Sequence, residues 1–246
     1  DLQALAGPAA GPGGGSLLID GFSGGQLPAK ESIREIRINQ NPFSPEYDRI
    51  GLGRIEILTK PGADKLRGTI SYNFMGDFWN SRNPYAAAKA PLKLNELRTN
   101  LSGPLNRRAS FTMDVSRDSI DNASIVNAVT VDPRTLAASP FTAVPVTRQR
   151  RTHVSPRTDF QLNPNNTLTV RYVYSHSDIQ NAGIGSFDLL SRAYHIPSGY
   201  QVVQATETAV MGANVNETRF QYSRYTDETI PNLESPTIQV LGSFNG

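Results

Sequence analysis

A mainly β chain, forming part of an antiparallel barrel that crosses a membrane with strands, is the fold class this sequence predicts. Two patterns and one absence predict it. From about Leu66 to Asp227, seven stretches alternate polar and apolar residues, and a period of two sends successive side chains to opposite faces of a strand. The connections take turns in length: Asn80–Asn95 long, Pro104–Arg108 short, Ser119–Thr147 long, Asn163–Thr167 short, Ile179–Tyr200 long, Met211–Ala213 short. Tight turns at one end and longer loops at the other are expected of an outer-membrane barrel. No run approaches the roughly 18 apolar residues of a membrane helix, which excludes a helical membrane protein but not a barrel.

Composition narrows the function classes. The formal net charge of the 246 residues is only +2, too small to argue for nucleic acid as a partner. There is no cysteine, so disulfide and thiolate chemistry are excluded for this stretch. No positively charged start leads into an apolar run at Asp1, so no signal peptide is read. The opening Asp-Leu-Gln-Ala reads as the interior of a longer chain, and a fragment is expected.

The elements follow in order. Residues 1–16 hold Gly-Pro-Ala-Ala-Gly-Pro-Gly-Gly-Gly-Ser, a composition that cannot pack and reads as a linker or loop. Leu17-Leu18-Ile19 makes a short buried strand ended by the turn signal Asp20-Gly21. Pro28 to Ser32 begins a helical turn, with proline near its start. Glu35–Asn39 and Arg54–Thr59 alternate, joined by the turn-rich Asn41–Asp48. Lys60-Pro61-Gly62 closes this small α/β unit, which at about 45 residues is too small for a comfortable core and needs a host surface.

Beyond it the strands sort into two faces. In Leu97–Ser102, Leu97, Thr99 and Leu101 face lipid while Arg98, Asn100 and Ser102 face the lumen. In Ala109–Ser116, Ala109, Phe111, Met113 and Val115 face outward against Ser110, Thr112, Asp114 and Ser116. With Pro104–Arg108 as the turn, Arg98 falls opposite Asp114, and with Asn163–Thr167 as the turn, Asp159 falls opposite Arg171. Opposed charges contribute about 0.2–1 kcal/mol. A lysine or arginine on the lipid face at mid-membrane costs about 2–4 kcal/mol, so avoiding lipid governs the facing more firmly than pairing. Trp79, Phe78, Tyr174, Tyr222 and Tyr225 lie near strand ends, where an interfacial girdle places aromatics.

Several motifs carry a resemblance. Ser32-Ile-Arg-Glu-Ile-Arg-Ile38, Asn41-Pro-Phe-Ser-Pro-Glu-Tyr47 and Gly51-Leu-Gly-Arg-Ile-Glu-Ile-Leu-Thr-Lys-Pro-Gly62 resemble the closing half of the plug of a TonB-dependent receptor. Asn163–Tyr172 and Asn216–Arg224 are similar to the barrel of the same family, and the closest subfamily is the Oar-like group, which carries a carboxypeptidase-regulatory-like domain ahead of the plug. The resemblance covers roughly residues 17–226. One departure stands out: the family's Gly-Gly-Val-Ile-Asn stretch is here Gly51-Leu-Gly-Arg-Ile-Glu56, so the details of that loop do not carry over.

The resemblance implies a linker or loop at residues 1–16, the C-terminal part of a plug at 17–65 and the N-terminal part of an outer-membrane barrel at 66–246. It implies the outer membrane of a Gram-negative cell and uptake of an unknown ligand past the plug. The TonB complex would supply energy through a region preceding this stretch, and outer-membrane lipid and lipopolysaccharide would surround the barrel. The family's barrels have 22 strands around a plugged lumen, so about seven strands form only part of one. Arg34, Glu35, Arg37, Arg54 and Glu56 are the candidates for contact between plug and lumen, with Arg98, Asp114, Asp159 and Arg171 as the lumen-facing pairs. Two other classes stay open: a non-transporting surface or adhesive protein of the outer membrane, and a soluble carbohydrate-binding β-sandwich.

Enzymatic signatures are few, and no cofactor or metal site is read. His153, His176 and His195 lack metal spacing, and His176-Ser177-Asp178 is adjacent in sequence rather than assembled in space. The densest cationic cluster, Arg148, Arg150 and Arg151, stands where the long Ser119–Thr147 loop re-enters the barrel. It reads either as an anion site for lipopolysaccharide phosphates or as a solvated strand end.

Overall fold

The computed structural model describes residues 15–23, 27–28, 30–39, 53–82, 84, 89–132 and 134–246. Residues 1–14 of the expected linker and the Asn41–Asp48 connection lie outside them.

Alternating isoleucines build a small mixed sheet first. It contains β1 (Gly15–Ile19), β2 (Phe22–Ser23), β3 (Ile33–Asn39) and β4 (Gly53–Thr59), in the order β2-β1-β4-β3. β1 runs parallel to β4, while β2 and β3 are antiparallel to their neighbours. Ile19, Phe22, Ile55 and Ile57 are buried and form its core. Asp20 and Gly21 turn β1 into β2 with positive φ at both residues, 50° and 82°, the requirement of a two-residue hairpin turn that Asp-Gly meets most easily. Where a helical turn was expected, Lys30–Ser32 forms one turn of 3-10 helix.

The large sheet is an antiparallel meander. It comprises β5 (Arg67–Gly76), β6 (Leu92–Asn106), β7 (Ala109–Ala123), β10 (Val146–Asn163), β11 (Asn166–Ala182), β12 (Tyr194–Met211) and β13 (Asn214–Asp227), paired in that order. Between β7 and β10 the hairpin β8 (Val126–Val131) and β9 (Ala138–Ala143) rises from the long-loop end. After β13 come the short β14 (Ile230–Pro231), β15 (Gln239–Val240) and β16 (Phe244–Asn245). Val126, Ala128, Ile184 and Ala193, with Phe244 and Leu189 packed on them, give these loops a core of their own.

The strands are longer than the alternation indicates. The short connections shrink to Arg107-Arg108, Pro164-Asn165 and Gly212-Ala213, and the long ones lose residues to β6, β7, β10, β11 and β12. Backbone pairing continues beyond the apolar band, where outward positions need no apolar side chain. This corrects the cross-strand pairs. Asp114 stands opposite Asn100, with Arg98 opposite Ser116, and Asp159 stands opposite Thr169, with Arg171 opposite Arg157. Each displacement is two residues, so every residue keeps its face, because side chains repeat with period two.

The two faces differ as a membrane wall requires. Ile70, Tyr72, Phe74, Phe220 and Tyr222 are exposed on the outward side, away from the small sheet. The inward Thr112, Asp114, Ser155, Arg171 and Gln204 are buried. A soluble sandwich would bury Phe111, Val115, Phe160 and Tyr172 between layers and leave Asp114 and Arg171 in solvent. Here Asp114 and Arg171 are each 8% exposed, whereas none of the four apolar residues is buried.

Candidate functional site at the junction of the two sheets

Among the described residues, the small sheet meets the inner wall at three main contacts and one more distant one. The first grows from the Asp20-Gly21 turn. Asp20 accepts hydrogen bonds from the Thr59 backbone N–H at 2.8 Å and from the Thr59 hydroxyl at 2.7 Å, so the turn is tied to the end of β4. Its Oδ2 then faces two wall cations, Arg157 at 3.5 Å and Arg171 at 3.6 Å. Arg157 also donates to the Thr59 hydroxyl and pairs with Asp159 at 2.8 Å, while Arg171 donates to Ser155 Oγ at 3.2 Å.

Ser32, at the end of the 3-10 turn, makes the second contact. Its hydroxyl donates to Asp114 Oδ2 at 2.6 Å and accepts from Asn100 Nδ2 at 3.2 Å. Asn100 Nδ2 also donates to Asp114 Oδ1 at 2.7 Å. A buried carboxylate is thus supplied with two donors, one from each sheet.

The third contact is made by the segment joining the sheets. The Gly62 N–H donates to Asp159 Oδ2 at 3.2 Å, and a Cβ built at Gly62 would stand 2.5 Å from Ser110 Oγ and 2.6 Å from the Phe111 nitrogen. Only a residue without a side chain fits. Farther along the wall, Arg219 of β13 reaches the Gly21 carbonyl at 3.5 Å.

The sequence candidates fall into two groups. Arg37 pairs with Glu35 at 2.9 Å and Arg54 with Glu56 at 3.5 Å, each along its own strand, and Arg34 is exposed. Glu35 is held below the usual carboxylate range by the hydrogen bond from Arg37, which is raised in turn. Asp114, Asp159 and Arg171 of the wall instead meet residues not singled out from sequence: Asp20, Ser32, Thr59 and Gly62, with Arg157 and Asn100 completing the set. Asp20-Gly21 and Lys60-Pro61-Gly62 were legible as turn and closure. Nothing in a local pattern says what they touch. Arg98 pairs with Glu96 on its own strand.

The basic cluster is divided. Arg148 and Arg150 lie on the outward parity of β10, but Arg151 points inward and lines a cleft of about 780 Å³ between the wall and the 3-10 turn. Consecutive strand residues cannot share a face, so the three do not form one anion site. Tyr225 likewise lines the cleft rather than joining Tyr222 outside, being an odd number of residues away. His176 and Asp178 face outward and Ser177 inward, and Asp178 meets His195, at 2.6 Å, rather than its sequence neighbour.

A strand wall with an apolar outside, a charged inside and a small sheet docked on that inside is, in part, the fold of a TonB-dependent outer-membrane receptor. Solved structures agree. The outer-membrane transporter YddB of Escherichia coli matches 91% of this chain with a TM-score of 0.61 at 14% identity. The siderophore receptor PirA of Pseudomonas aeruginosa matches 91% at 0.56 and 16% identity. The ferric enterobactin receptor PfeA of Pseudomonas aeruginosa, in complex with enterobactin, matches 86% at 0.51 and 14% identity. The chain spans about a third of the length of each, 33%, 34% and 33% respectively. No family model and no curated protein sequence matches the chain.

Proposed function

We propose that this chain is part of a TonB-dependent receptor of the outer membrane, in which β1–β4 are the closing half of a plug seated against the first strands of the barrel. The intact protein would bind a ligand at its extracellular loops and admit it past the plug with energy from the TonB complex. The sequence motifs support assignment to the Oar-like group. One observation carries the reading: buried and half-buried charges of the wall, Asp114, Arg157 and Arg171, find their partners in Ser32, Thr59 and Asp20 of the small sheet. Unpaired buried charge is costly, so a wall with this inner surface requires an occupant with these groups.

Single-cysteine labelling of the full-length protein tests the reading, because this stretch contributes no native cysteine. Met113→Cys on the outward face should resist a water-soluble maleimide in outer-membrane vesicles and react once the lipid is removed. Thr112→Cys, buried on the inward face beside Ser32 and Thr59, should become reactive when the plug seat is broken by Asp20→Asn, without removal of lipid. Free labelling of Met113→Cys in intact vesicles, or recovery of the protein in the aqueous fraction, would refute it.

A further inference from the structure

We propose that Pro140 keeps the hairpin β8–β9 from pairing, strand to strand, with the same hairpin of a second copy of this chain. The two strands pair along their whole length without a break in register, Val126–Val131 against Ala138–Ala143. Neither strand contains a charged residue, and Val129, Val131 and Phe141 are exposed. Uncharged segments of about six residues with high β propensity are the ones that add strands from other chains. Proteins blunt such edges with charge, with a bulge, with a very short strand or with proline. Charge and bulge are absent from β8 and β9, and their six residues are an ordinary strand length. Proline is the guard that is left.

The hydrogen bonds of β8 decide which edge is open. The Asn127 N–H donates to the Ser186 carbonyl at 2.8 Å and the Val129 N–H to the Ser243 carbonyl at 3.1 Å, so neighbouring loops occupy the outer edge of β8. These two residues turn their backbone away from β9, and in an antiparallel pair bonded and non-bonded partners alternate. Ala128 and Phe141 are therefore a bonded pair, while Val129 stands opposite Pro140 as a non-bonded one. The bond from the Asp132 N–H to the Ala137 carbonyl at 3.0 Å keeps the same alternation. Ala138, Pro140 and Thr142 consequently direct their backbone to the outer edge of β9, which makes no backbone hydrogen bond among the described residues. At position 139 or 141 a proline would break the hairpin's own ladder. At 140 it leaves that ladder whole and deletes the middle donor of the open edge. In a symmetric pair of hairpins each copy lacks this donor, so two bonds are lost. At about fivefold per ordinary hydrogen bond, self-association is weakened about 25-fold.

Sedimentation of the full-length protein in detergent, over a concentration series, is the test. Pro140→Thr should self-associate about 25-fold more tightly than the native chain. The double variant Pro140→Thr/Thr142→Pro moves the missing donor two residues along the same edge and should return to native behaviour. Hydrogen exchange at the Val129 amide, which is bonded to Ser243, should be the same in dilute Pro140→Thr as in the native chain, since the hairpin itself is untouched. Unchanged association of Pro140→Thr would overturn the proposal. Association that survives in the double variant would overturn it too, because exposed apolar side chains would then be the cause. Faster exchange at Val129 in Pro140→Thr would do the same, by showing that the proline shapes the hairpin instead of guarding its edge.

Discussion

Arg157 of β10 and Arg171 of β11 stand directly opposite each other on the inner wall, and Asp20 of the small sheet lies within 3.5 Å of one and 3.6 Å of the other. Like charges directly opposed across a strand pair are destabilising on their own. The carboxylate between them turns a repulsive pair into a seat, so the wall is complete only when the small sheet is docked.

Asp20→Asn keeps one of the two oxygens that accept from Thr59 and removes the charge between the arginines. Stability of the docked state should fall by about 3 kcal/mol, the cost of breaking a mostly buried ion pair. Adding Arg157→Gln should recover part of that loss. Chemical unfolding in detergent measures both; an additive pair of effects would show that Asp20 does not act on the arginines.

Gly62→Ala should destabilise by about 1–3 kcal/mol, because its methyl group collides with Ser110 and with the Phe111 backbone. Adding Ser110→Gly relieves the side-chain clash but not the backbone one, and should rescue only in part. Gly212→Ala is a useful contrast: nothing lies within 4 Å, and only its φ of +65° opposes a side chain. Its cost should be near 1 kcal/mol, roughly the penalty of a left-handed residue. Thermal unfolding distinguishes the two.

Ser32→Ala removes one of the two donors on Asp114 and leaves Asn100 as the other. A loss of about 1–3 kcal/mol is expected. Hydrogen exchange should show it as faster opening of the Lys60 amide, which donates to the Ser32 carbonyl at 2.8 Å, while the β10–β11 ladder stays protected. Uniform loss of protection across the wall would argue against a local seat.

Asp132, at the tip of the β8–β9 hairpin, accepts from the backbone N–H of Arg134 at 2.7 Å and of Thr135 at 3.0 Å. These bonds, Thr135 first, hold its carboxyl below the ordinary value of 3.8. A depressed folded-state value means the stabilisation is complete above the unfolded value and is lost as pH falls through the folded one. Proteolysis with an acid-active protease should therefore accelerate at this tip below about pH 4, the unfolded Asp value. Asp132→Asn should remove the pH dependence while retaining an acceptor for the turn.

The resemblance of the sequence to plug and barrel motifs and the likeness of the structure to solved receptors rest on different information. Motifs such as Lys60-Pro61-Gly62 and Asn163-Pro164-Asn165 mark where the chain must turn. The fold likeness concerns only how the strands are arranged, since identity to those receptors is 14–16%.

Alternation alone settled which residues of β6, β7, β10 and β11 look outward and which inward, because that assignment depends on nothing beyond a period of two. It left open how far each strand slides along its neighbour. A slip of two residues returns every side chain to the same face and erases no part of the pattern, so Arg171 could be set against Asp159 from the sequence and stand against Arg157 in the fold. Tertiary structure made that choice through two-residue turns at Arg107-Arg108 and Pro164-Asn165, each accompanied by a one-residue register shift, between Pro104 and Asn106 and between Gln161 and Asn163. It also brought Asp20 to a pair of arginines more than 130 positions away, as the 137-residue separation from Arg157 shows. Local periodicity carries no record of such distant meetings, since the energy that selects them arises only when the two sheets touch.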